Sequence, residues 1–186
     1  MLIGIISLAV PAMSMACPDG QQEVCAIVCV CLPRPVQERL TQISAQALQE
    51  WIVQSRNAAA NDGTQSIPSN IRNKLAKYYD DRVLNTARYK VGDNGTLNAA
   101  KTMFQNPDVN AVTLIDIIVF RYPADAANNL ALWAHELKHV QQYLDWGVRD
   151  FASRYIRDFK AIEDPAYEIQ NTVTNTPPIP QQRSSP

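Results

Sequence analysis

The sequence predicts a helix-rich α+β domain in which a small sheet precedes the most distinctive helix of the chain. Three features carry that expectation. Apolar residues recur three and four positions apart through much of the chain, and Ala111–Phe120 is rich in β-branched types. A shorter alternating stretch, Ala87–Val91, ends in the turn formers Gly92-Asp93-Asn94-Gly95. At 186 residues and 46% hydrophobic content the chain can bury one core and is too short for two.

The first sixteen residues are apolar and end in Ser14-Met15-Ala16, the form of a secretory signal peptide with its small-residue cleavage site, although no Lys or Arg comes before Arg34. Residues 1–16 are therefore read as a signal peptide and the protein as exported, to a periplasm or the extracellular space. The run is too short to span a bilayer, so no stable membrane span is expected. Cys17 directly follows the cleavage point, which leaves a lipid-anchored cysteine as a lesser alternative.

Residues 17–35 hold all four cysteines, Cys17, Cys25, Cys29 and Cys31. In an exported chain such a cluster points to two disulfides, in any of three pairings, and its gaps do not match the two short-spaced pairs of a zinc ribbon. Leu32-Pro33-Arg34-Pro35 closes the segment, because prolines flanking one residue keep the backbone extended.

The folded domain is expected over residues 36–173. Val36–Asn57 reads as an amphipathic helix through Leu40, Ile43, Ala47, Leu48, Trp51 and Ile52. Asn61-Asp62-Gly63 breaks it, Ser66-Ile67-Pro68 opens a second helix carrying Ile71, Leu75, Tyr78, Val83 and Leu84, and the Ala87–Val91 strand follows. Asn98–Gln105 is short and helical or irregular. Ala111–Phe120 is nearly all apolar, so its strand should be covered on both faces. Pro123 stops it, Asp125–Asn129 offers capping groups, and Leu130–Tyr143 forms a helix that Trp146-Gly147 ends. Further helical segments run over Asp150–Phe159 and from Glu163 to about Thr172. Residues 174–186 form a proline-rich tail with too little apolar content to fold.

The helix at 130–143 contains His135-Glu136-Leu137-Lys138-His139, and these are the only two histidines in the chain. Four residues apart, both imidazoles lie on one helix face and can reach one ion, while Glu136 stands beside them as a base for a water. Random ordering of this composition would give that pattern in roughly one shuffle of three thousand. A catalytic zinc takes a third protein ligand and keeps one position open, so a third donor is expected downstream. Glu163, 24 residues beyond His139 and at the start of a further helical segment, is the candidate there, with Asp164 and Glu168 as substitutes. Tyr143, Tyr155 and Tyr167 are candidates to stabilise an oxyanion. With 17 basic and 18 acidic residues and no basic stripe, nucleic acid is not an expected partner.

Glu163 followed three residues later by Ala166 resembles the gluzincin peptidases, whose third zinc ligand is a glutamate on a second helix. Pro165 would then put Glu163 at or just before a helix start. The resemblance extends from about Arg88 to Gln170. It includes Tyr89-Lys90-Val91-Gly92-Asp93, Ala111–Asp116, Ile118–Arg121, Ala131–Leu137, His139-Val140-Gln141-Gln142, Trp146-Gly147-Val148 and Glu163–Tyr167. This text is similar to the eCIS core domain, a zincin-like family named for its occurrence with extracellular contractile injection systems. The resemblance implies a zincin-like fold with zinc held by His135, His139 and Glu163, and Glu136 as general base. The zinc motif with its base, more than the family likeness, points to a secreted zinc metallopeptidase or peptidase-like hydrolase acting on an extended peptide or protein. The alternative is a non-catalytic binding or accessory module associated with a secreted or injection-type machine.

Overall fold

The computed structural model describes residues 17–25, 29–103 and 110–175. The expected signal peptide and residues 176–186 of the expected tail lie outside them. The chain divides into two compact units, Met1–Leu40 and Thr41–Pro186.

In the first unit, β1 (Gln21–Cys25) and β2 (Cys29–Pro33) form an antiparallel hairpin, with Gln21 opposite Pro33 and Cys25 opposite Cys29. A disulfide joins Cys17 to Cys31. A pairing of Cys25 with Cys29 lies outside the described side chains. Helix α1 (Arg34–Asn61) begins earlier than the proline pair suggested, because Pro35 falls in its first turn, where the missing N–H has no helical partner to lose.

In the second unit the rest of α1 leads to the two-residue strand β3 (Gln65–Ser66). The single helix expected next is two, α2 (Ser69–Leu75) and α3 (Asp81–Thr86). The division falls at Asp80, whose carboxylate accepts the Val83 N–H at 3.0 Å and so starts a new helix. Strand β4 (Arg88–Val91) and helix α4 (Asn94–Met103) follow.

The long apolar strand expected from Ala111 to Phe120 is a hairpin of β5 (Ala111–Leu114) and β6 (Ile117–Phe120). Its two-residue turn has Ile115 at φ +61, a conformation that a β-branched side chain adopts only under strain. Arg56 holds the turn through two 2.8 Å hydrogen bonds to the Asp116 carboxylate, one to each oxygen. The sheet order is β3-β4-β6-β5, with β4 and β6 parallel and the other neighbours antiparallel.

Both faces of the hairpin are covered, which accounts for its unbroken apolar text. Ile118 and Phe120 face one core cluster with Leu75, Val83, Trp133 and Leu137. Ile117 and Val119 face another with Leu97, Ala100 and Ala59. Helix α5 (Pro123–Asn128) then hands over to α6 (Leu130–Arg157) at Asn129, whose side chain accepts the Leu132 N–H. Gly147, at φ +75, breaks α6 where Trp146-Gly147 was expected to end it, and the helix resumes at Val148.

Helix α7 (Phe159–Asn175) starts four residues before Glu163, not at it, because the Asp158 carboxylate accepts the Ala161 N–H and caps an earlier turn. Pro165 therefore sits inside the helix, where it withholds an N–H from the carbonyl of Ala161. That residue is exposed, so water can take the place of the lost donor. The architecture is α+β and helix-rich, and its four-stranded sheet precedes the histidine helix as expected.

Candidate metal centre

Helix α6 is seated by its own N-terminal turns. Trp133 is fully buried, donates from its indole N–H to the Ala126 carbonyl at 2.8 Å, and packs its ring against Tyr89 and Phe120 at 5.3 and 4.7 Å between centroids. The buried Tyr79 hydroxyl donates to the Ala134 carbonyl at 2.5 Å. These contacts fix the turn that presents His135 and Glu136.

His135 and His139 turn their Nε2 atoms towards each other at 3.1 Å. Oε2 of Glu163, reaching across from α7, lies 3.3 Å from the first and 3.6 Å from the second. Zinc bonds of about 2.0–2.2 Å arranged tetrahedrally set donors about 3.3 Å apart, so these three atoms stand at the separations such an ion requires. The other downstream carboxylates expected as substitutes, Asp164 and Glu168, are not part of this cluster.

The three groups are buried or nearly so, and their charges are coupled. Burial works against ionisation of Glu163, yet the imidazoles of His135 and His139, at 3.3 and 3.6 Å, outweigh it and hold the carboxyl well below the usual carboxylate range. Burial likewise opposes a charge on His139, and the neighbouring Glu163 carboxylate, with the charge of Glu136, overcomes it and raises the imidazole. A field that draws a proton between these groups also draws a divalent cation.

Glu136 is 4% exposed, and its Oε2 accepts from the Thr113 hydroxyl at 2.7 Å. Thr113 lies on β5, on the face turned to α6, and was not legible as a site residue. A lone Thr in an apolar strand carries no signal until the strand is paired with its helix. Gln142 was missed as well, although its place three residues after His139 puts it on the same helix side. It contacts His139 Nδ1 at 2.8 Å.

The three candidate tyrosines separate clearly. Tyr143 is buried against Phe151 with ring centroids 3.9 Å apart, and its hydroxyl has no hydrogen-bond partner among the described residues. Burial raises the Tyr155 hydroxyl, helped by the charge of Glu163 and a hydrogen bond to it. Tyr167 lies one turn beyond Glu163, with its ring 4.7 Å from that of His135 and 45% of its surface exposed. It alone of the three stands at the solvent side of the cluster.

Among the described residues no helix is long and apolar enough to cross a membrane. Neither a curated protein nor a solved structure matches the chain. Residues 66–147, from the last residue of β3 to the Gly147 break in α6, match the model of the eCIS core domain, the family that the sequence resembles; the match begins before Arg88 and ends short of Glu163.

Proposed function

We propose that the chain is a zincin-like, exported zinc-dependent hydrolase of the metallopeptidase type, with His135, His139 and Glu163 as ligands and Glu136 as general base. The convergence of two Nε2 atoms and one carboxylate oxygen at tetrahedral spacing carries this reading. A zinc ion held there would supply Lewis acidity, polarising a substrate carbonyl and lowering the pKa of a water.

The side chains of the chain do the rest. Glu136, next to the ligand His135 and steadied by Thr113, accepts a proton from the attacking water and returns it to the leaving amine. Strand β5 ends the sheet, so its outer edge can pair with an extended peptide or protein segment, which then lies beside α6. Tyr167, half-exposed over His135, is placed to donate a hydrogen bond to an oxyanion. The disulfide between Cys17 and Cys31 supports export, since such bonds persist in oxidising compartments.

A second reading rests on the family match. The eCIS core domain is named for extracellular contractile injection systems, which supports association with such a machine, as an enzyme or as a non-catalytic binding or accessory module.

Metal analysis and cleavage of a broad peptide library separate the two. One zinc per chain, lost in a His135→Ala/His139→Ala variant, is expected. Glu136→Gln should keep the zinc and lose cleavage. Wild type without zinc would sink the metal centre, and zinc-loaded wild type as inert as Glu136→Gln would leave the accessory role.

A further inference from the structure

One side chain bridges the two helices that carry the three candidate ligands. Gln142, 3% exposed, sits with its amide between His139 and the backbone of α7. Its Nε2 donates to the carbonyl of Ile162 at 2.8 Å, and Ile162 directly precedes Glu163. Its Oε1 lies 2.8 Å from Nδ1 of His139.

The chemistry of these partners removes the ambiguity that amides and imidazoles usually carry. A backbone carbonyl can only accept, so the amide nitrogen of Gln142 faces Ile162 and the amide oxygen faces His139. An amide oxygen also only accepts, so a His139 that keeps this 2.8 Å contact as a hydrogen bond carries a proton on Nδ1, whereas the Glu163 oxygen on its other side is 3.6 Å away. The lone pair of a neutral His139 is then on Nε2, the atom that faces His135 and Glu163. His135 has no such partner, because its buried Nδ1 makes no hydrogen bond among the described residues.

We propose that Gln142 is a positioning residue that fixes the tautomer of His139 and ties the helix of the histidine ligands to the helix of Glu163. It acts through His139 and the α7 backbone and touches no substrate. Its consequence for metal binding rests on the zinc reading above, whereas its effect on His139 does not. Partners of this kind, behind a metal-binding histidine, change metal affinity by about 10–100-fold when removed.

The test uses the whole chain with histidine labelled by nitrogen-15, metal-free and at alkaline pH, where the imidazoles are neutral. Long-range proton–nitrogen spectra should show His139 in the Nδ1–H form. Gln142→Met, which keeps length and volume but offers neither hydrogen bond, should move His139 towards a mixture with the Nε2–H form. Gln142→Glu, which keeps an acceptor for Nδ1–H, should hold the wild-type form and guards against a Met variant that fails to fold. Zinc affinity, read by competition with a chromophoric chelator, should fall 10–100-fold in Gln142→Met. The visible spectrum of the cobalt-loaded protein should change with it.

An unchanged His139 tautomer in Gln142→Met overturns the proposal, and so does wild-type zinc affinity in that variant. A wild-type protein that takes up no zinc overturns the metal reading instead, and the tautomer measurement still decides the role of Gln142.

Discussion

The hydroxyl of Thr113 lies 2.7 Å from Oε2 of Glu136 and 3.0 Å from the Glu136 carbonyl oxygen, so one proton on the edge strand serves two acceptors on the histidine helix. Both residues are buried, and the carboxylate cannot replace that donor with bulk water. Thr113→Val keeps the shape and removes the proton. It should cost about 1–3 kcal/mol in urea unfolding, leave zinc stoichiometry intact and lower kcat/KM wherever turnover is found. Thr113→Ser should recover most of the loss. Equal stability and turnover in Thr113→Val and wild type would mean that the contact has no role.

Ligand binding to the folded state alone raises stability with the logarithm of the ligand concentration relative to its dissociation constant. Zinc at about a hundred times its dissociation constant should therefore add about 2.7 kcal/mol, which for a chain of this size raises Tm by roughly 5–10 °C. A chelator should reverse the rise, and Glu163→Gln should abolish most of it. A Tm indifferent to zinc and chelator would make the cluster an ion pair and nothing more.

The parts of this centre that lie along one helix were readable from the chain, because i and i+4 positions share a face whatever the tertiary fold. His135, Glu136 and His139 needed only that spacing. Glu163 needed a likeness to gluzincin text, since nothing local says which downstream carboxylate folds back. Thr113 and the Ile162 carbonyl enter through packing between elements and left no local mark. The β5–β6 hairpin was hidden for a different reason. Its turn uses Ile115 at positive φ in place of Gly or Asn, and the only charged residue in the run, Asp116, reads as a turn only once Arg56 is seen on it. Pro165 misled in the opposite direction, since the rule that places proline in a first turn yielded to the cap supplied by Asp158.

Arg56 and Asp116 meet through both carboxylate oxygens, with side chains 33% and 19% exposed. The hydrogen bond to Asp116 raises the guanidinium above its ordinary value, against the cost of partial burial. The pair clamps the strained turn, so Arg56→Met should destabilise by about 1 kcal/mol, above the usual worth of a fully exposed pair. Lysine cannot offer the two-pronged geometry, and Arg56→Lys should recover less than half of that. Urea midpoints at fixed m-value decide it, and a lysine variant as stable as wild type would show that charge alone suffices.

The coupled charges at the centre give metal-free protein a pH profile of definite sign. The folded pKa of Glu163 is depressed, so its contribution is fully present above the ordinary glutamate value of about 4.5 and is lost as pH falls through the folded value. The folded pKa of His139 is raised, so its contribution is fully present below about 6.5 and is lost as pH rises through the folded value. Chelator-treated protein should thus gain most from this pair between about pH 4.5 and 6.5, with Tm declining on the alkaline side. Zinc competes with protons for the same imidazoles, so the stabilisation it adds should grow over the range in which the metal-free protein weakens. Thermal melts from about pH 5 to about pH 9, with chelator and with zinc, should therefore diverge as pH rises. Glu163→Gln removes the carboxylate that raises His139 and should flatten the metal-free curve. If the variant kept the full alkaline decline, the slope would arise elsewhere in the chain and the His139–Glu163 coupling would not be its source.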